Sequence, residues 1–134
     1  MKSLRIALLA LLFPGSLSSV ILAQITKTPV EAFSEAVNFF NVAGNDGISL
    51  VSVTAVDTKN GQNVTSIFIG SPAPVVTSAV TINGVTTTGT FIVFRLQGGS
   101  NNQQVLIDAV ASDNVTGEIF DGQIRVQVIS GSGH

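Results

Sequence analysis

The sequence predicts an all-β domain, folded as an antiparallel β-sandwich of about seven short strands. Three observations point there. Val, Ile, Thr and Phe supply most of the apolar and near-apolar content, and such side chains suit a pleated, half-buried surface. Short runs of them alternate with Gly, Asn, Asp and Pro clusters at the spacing typical of sandwiches. One Asn-Gly pair, Asn83-Gly84, sits between two such runs, the strongest short-range hairpin signal a sequence carries.

Residues 1–23 stand apart from this pattern. Lys2 and Arg5 precede an uncharged apolar run, residues 6–13, and a polar stretch of small residues leads on to Ala23 and Gln24. That order is the pattern of a secretory signal peptide, which is removed from the mature protein. Pro14-Gly15 breaks the run well short of the about 20 apolar residues that a spanning helix needs. An uncleaved N-terminal anchor is the alternative. The expected cut follows Ala23; a cut after Ser18, with Ser16 three positions before it, is the other choice. No Cys follows the run, which excludes a lipoprotein anchor. The expected location is secreted or periplasmic.

Taking 23 residues from 134 leaves 111, enough for one domain over residues 24–129, with 130–134 as a flexible tail. The remaining basic residues are Lys27, Lys59, Arg95 and Arg125, and all eight acids stay, so the formal charge moves from −2 to −4. This sparse acidity, with no basic patch, argues against nucleic acid or anionic membranes as partners. Cysteine is absent, so an exported domain must fold on its core alone.

The elements follow in order. Residues 32–40 read as a strand, with Phe33, Val37 and Phe39 alternating imperfectly, although Glu31 and Glu35 would also suit one face of a short helix. Ala43-Gly44-Asn45-Asp46-Gly47 is a loop. Residues 48–56 form a strand that places Val51, Val53 and Ala55 on one face, with Ser52 and Thr54 on the other. Asp57-Thr58-Lys59-Asn60-Gly61 is a turn, and residues 64–69 the next strand, ended by Gly70-Ser71-Pro72-Ala73-Pro74. Residues 75–82 and 85–96 are the arms of the Asn-Gly hairpin. In the second arm Phe91, Val93 and Arg95 alternate with Ile92, Phe94 and Leu96, so both faces are apolar and the strand is central. Residues 105–111 and 119–129 complete the set, the last with Ile124, Val126 and Val128 facing in and Gln123, Arg125 and Gln127 facing out. Seven strands with no helix after the leader fit an immunoglobulin-like sandwich; a small barrel is the alternative.

The inventory for catalysis is nearly empty. The single histidine is His134, at the terminus, and there is no cysteine, so Ser-His-Asp and Cys-His constellations lack a base and the usual zinc sites lack ligands. Carboxylate pairs are the option left open, with Glu31 and Glu35, or Asp113, Glu118 and Asp121, as candidates for a glycoside hydrolase. The oxygen-rich stretch Asp113, Asn114, Thr116, Glu118 and Asp121 is a weak calcium candidate, since its spacing departs from the EF-hand loop and Asx residues at turns cap their own backbone. Gly98-Gly99 has no helix N-terminus or lysine beside it and reads as a turn rather than a phosphate cradle. Asn63-Val64-Thr65 and Asn114-Val115-Thr116 are glycosylation sequons. Ser, Thr, Asn and Gln replace charge over much of the surface, which leaves few of the edge charges that block association between sheets.

The order of features also carries a resemblance. Lys27-Thr28-Pro29-Val30-Glu31 precedes Asn38-Phe39, and Asp46-Gly47-Ile48 opens a Val/Thr strand. Val93-Phe94-Arg95-Leu96-Gln97-Gly98-Gly99 leads to the strand at 105–111, and Thr116-Gly117-Glu118 precedes Ile124-Arg125-Val126-Gln127-Val128. Across most of residues 25–129 this resembles small immunoglobulin-like phage and prophage proteins of the tail or fibre-adaptor type. The resemblance implies the same sandwich and a non-enzymatic structural role; it carries over no functional residue.

The expected function is therefore an exported, non-enzymatic structural or binding module that works through its surface, in adhesion or assembly. Its expected partners are protein or glycan surfaces, or a second copy through edge strands, with no cofactor. A phage-derived virion component and a secreted carboxylate-dependent glycoside hydrolase are the alternatives.

Overall fold

The computed structural model describes residues 19–129. The leader's basic start and apolar run, the tail and His134 lie outside the described residues. Seven strands form two sheets: β1 (Ser19–Lys27), β2 (Phe33–Asn38), β3 (Ile48–Asp57), β4 (Val75–Ile82), β5 (Val85–Leu96), β6 (Gln104–Asp113) and β7 (Ile119–Val128). One sheet has the order β1-β7-β6-β3 and the other β2-β5-β4. All pairs are antiparallel except β1 with β7, which run parallel from Ser19 opposite Asp121 to Lys27 opposite Val128. The fold is an immunoglobulin-like sandwich.

The core lies between the sheets, and the alternation of the strands explains its membership. Phe33 and Val37 from β2, Ile92, Phe94 and Leu96 from β5, and Ile124, Val126 and Val128 from β7 point into it. The other face of β5 is also covered: Phe91 packs with Ala36, Val80 and Val93. β5 is central, as its two apolar faces require.

Three expectations need correction. Residues 64–69 are not a strand; Thr65–Phe68 is a single helical turn, α2. A strand would have aligned Val64, Ser66 and Phe68 on one face, whereas the helical turn buries Val64 and Phe68, four apart, and leaves Ser66 in solvent. Thr65 fixes the turn, its N–H donating to Asn63 Oδ1 and its hydroxyl accepting from Ala55 N. The strand count stays at seven because β1 takes its place. Val51 does not join Val53 and Ala55 in the core: a bulge between Leu50 and Ser52 expels it, and it is 54 % exposed. The strand expected over 32–40 also stops at Asn38, and a second single turn, α1 (Phe40–Ala43), follows.

One end of the sandwich is locked by polar bonds. Lys27, 1 % exposed, donates from Nζ to the carbonyls of Thr28 and Gly98, and Glu31 Oε1 accepts from Thr28 N. Burial pushes the Lys27 amine below its ordinary range, with the nearby Glu31 charge opposing. Gly99 has φ of 102°, and a Cβ there would meet Phe68 Cζ at 2.8 Å and Val128 Cγ2 at 2.9 Å. The double glycine serves close packing, and the expectation that no lysine lies beside it is corrected by Lys27, whose Nζ donates to Gly98 O.

Candidate functional site

The other end of the sandwich is open. β2 stops at Asn38 opposite Phe91, so residues 85–90 of β5 run on without a β2 partner, paired only with β4. Asn83 and Gly84 both have positive φ, 51° and 80°, which closes the arm as a tight hairpin. α1 and the short 3₁₀ turn Gly44–Asp46 fill part of the space that β2 vacates.

A groove of about 310 Å³ lies there, lined from both sheets by residues including Phe40, Gly47, Ile48, Thr77, Thr90 and Asn114. A second, overlapping concavity of about 470 Å³ continues along the arm past Ala79 and Thr88, sharing Phe40, Asn45, Ser78 and Gly89 with the first. Both volumes suit a small-ligand pocket of about 300–1,000 Å³. Phe40 is 44 % exposed at the rim. Among the described residues no ionisable side chain lines either concavity, and residues 60–94, which supply β4 and most of β5, contain no charge at all.

Three departures from regular sheet geometry meet at this groove. Asn38 Oδ1 accepts from Phe40 N at 3.0 Å and from Thr90 N at 3.1 Å, so one amide brackets the aromatic and the groove's β5 wall. Gly89 makes room for that amide: a Cβ there would lie 2.9 Å from both Nδ2 and Oδ1 of Asn38. In β4 the register slips between Thr77 and Ala79, a bulge that Thr77 Oγ1 stabilises by donating to Ala79 O. Bulges of this kind re-aim a side chain, and here the residue is Ser78.

A carboxyl pair stands behind the groove. Asp46 ends the 3₁₀ turn and Asp113 ends β6, where Asp113 faces Ile48 in register. Burial and a hydrogen bond to Asp113 raise the Asp46 carboxyl above the ordinary range. Backbone N–H groups of Thr116 and Val115 donating to its carboxylate hold Asp113 below that range, despite desolvation. The two carboxyls therefore titrate as a coupled pair, Asp46 held above and Asp113 below the ordinary range. Asn114 joins it to β3 by donating from its backbone to Gly47 O and by bonding Ser49 through its side chain.

Of the candidates named from sequence, Asp113, Asn114 and Glu118 share the turn between β6 and β7, where Asp113 N donates to Glu118 O. Asp113 caps its own turn, Asn114 bonds Ser49, Glu118 Oε1 accepts from the Thr116 hydroxyl, and Asp121 lies within β7 opposite Val110. Among the described residues no three acidic or histidine side chains cluster as metal ligands would. Glu31 caps the loop after β1, and Glu35 is buried on β2, so those two carboxylates do not face a common cleft. Asp46 has no local sequence signal, since only the β3–β6 register brings it to Asp113. Asn63 and Asn114 are exposed, each with its side-chain oxygen engaged. No described helix is long and apolar enough to cross a membrane.

Compared with known proteins, the chain matches no family model and no curated sequence.

Proposed function

We propose that this chain is an exported, non-enzymatic binding module that engages its partner through the groove beside Phe40, in adhesion or assembly. The observation that carries the reading is the convergence of the Asn38 bracket, Gly89 and the β4 bulge on one uncharged concavity. Local rules of sheet geometry are broken mainly where function requires it. The leader-like N-terminus supports export.

Binding of the fluorescently labelled exported chain to intact cells and to isolated cell-envelope material tests the proposal. Phe40→Ala, an exposed substitution, is expected to weaken that binding while leaving the thermal transition in place. Equal binding by both proteins would remove the groove from the account. The resemblance over residues 25–129 supports a second reading, a phage-derived virion component that keeps its N-terminus. Mass spectrometry of the native protein separates the two, since an intact Met1 or Lys2 start belongs to the second.

A further inference from the structure

We infer that the ligand of the Phe40 groove is a neutral saccharide; this rests on the groove being the binding site. The lining offers what a sugar presents surfaces for. Phe40 supplies a half-exposed aromatic face for the C–H face of a pyranose ring. Asn45, Ser78 and Thr88, all exposed, supply amide and hydroxyl groups that both donate and accept, as sugar hydroxyls do, and Asn114, its oxygen held by Ser49, adds an amide donor.

Other chemistries fit less well. An anionic ligand would find no lysine or arginine among the described lining residues, and the carboxyls of Asp46 and Asp113 behind it add negative charge. A peptide adding itself as a strand needs unpaired backbone groups. At Thr90 both are taken, the N–H by Asn38 Oδ1 and the carbonyl by Phe39 N. Recognition at the inner wall of this groove therefore runs through side chains, which suits a compact, hydroxyl-rich ligand.

The full exported chain is titrated with soluble neutral glucan, galactan and N-acetylhexosamine oligomers, with polygalacturonate as the anionic comparison. At least one neutral oligomer is expected to bind and to displace the protein from cell envelopes. Its affinity should change little between about 0.05 and 0.5 M salt, since no ion pair is screened. Phe40→Ala should weaken it about tenfold, Phe40→Trp should retain it, and Val30→Ala in the opposite loop should leave it unchanged. Envelope binding that depends on Phe40 but yields to no neutral oligomer would overturn the saccharide and keep the site. Preference for polygalacturonate would do the same. Envelope binding indifferent to Phe40 would overturn both.

Discussion

The Asn38 bracket makes a prediction that the geometry quantifies. Asn38→Ala removes the acceptor of two backbone N–H groups. Thr90 is 9 % exposed, so its N–H is left without a partner, at a cost of about 1–3 kcal/mol. The Phe40 N–H lies at the surface, where water replaces the lost bond at little cost. A loss of about 2 kcal/mol is expected, which lowers the thermal midpoint by about 10 °C in a domain near 100 residues. Gly89→Ala acts on the same contact from the other side. Its Cβ would come within 2.9 Å of an amide that its two hydrogen bonds hold in place, and within 2.9 Å of Phe91 Cε2. That overpacking costs about 1–3 kcal/mol. In Asn38→Ala the amide is gone and only the Phe91 edge still resists. The double variant should therefore be more stable than the two single losses imply, by about 1 kcal/mol in urea unfolding. Strict additivity, or a single Asn38→Ala effect below about 0.5 kcal/mol, would refute the bracket.

The carboxyl pair predicts a pH signature. Asp113, held low, contributes stability that is lost as pH falls through its folded value, whereas Asp46, held high, contributes stability that is lost as pH rises through its own. Their contact is strongest at pH between the two folded values. Asp46→Asn keeps a donor toward Asp113 at every pH, so it should raise the thermal midpoint at pH 7 and leave it nearly unchanged near pH 4; equal shifts at both would contradict the coupling of the two carboxyls. Asp57 is held below the ordinary range first by Gln103 Nε2, then by Lys59 N, and it supports folding until pH falls through that lowered value. Gln103→Ala should move its carboxyl upward in an NMR titration. Phe68→Ala, in a fully buried position on α2, should cost about 3–5 kcal/mol by urea unfolding; a surface-like loss would mean that α2 is misplaced.

The paired strands were legible because their side chains alternate over long runs. Residues 85–96 and 119–129 have no competing period, and Asn83-Gly84 fixed the register between β4 and β5. Residues 64–69 were not legible, since a short apolar run fits a strand or a single helical turn equally well. What decides is the depth of Phe68 in the core and the Thr65 bonds to β3, both tertiary. β1 was hidden because its upstream half falls in the segment assigned to the leader, and its pairing with β7 is long-range. The groove was the least visible part. Phe40 read as the last residue of a strand, and Asp46 as one more acid in a loop. Only the early stop of β2 turns Phe40 toward solvent, and only the β3–β6 register sets Asp46 against Asp113.

Hydrogen exchange of the chain, free and bound to cell envelopes, tests the groove most directly. Slowed exchange at residues 40–47, 76–79 and 88–90, with the opposite loops at 28–32 and 97–103 unchanged, is the predicted result. Slowing confined to the opposite loops, or to no segment at all, would contradict it.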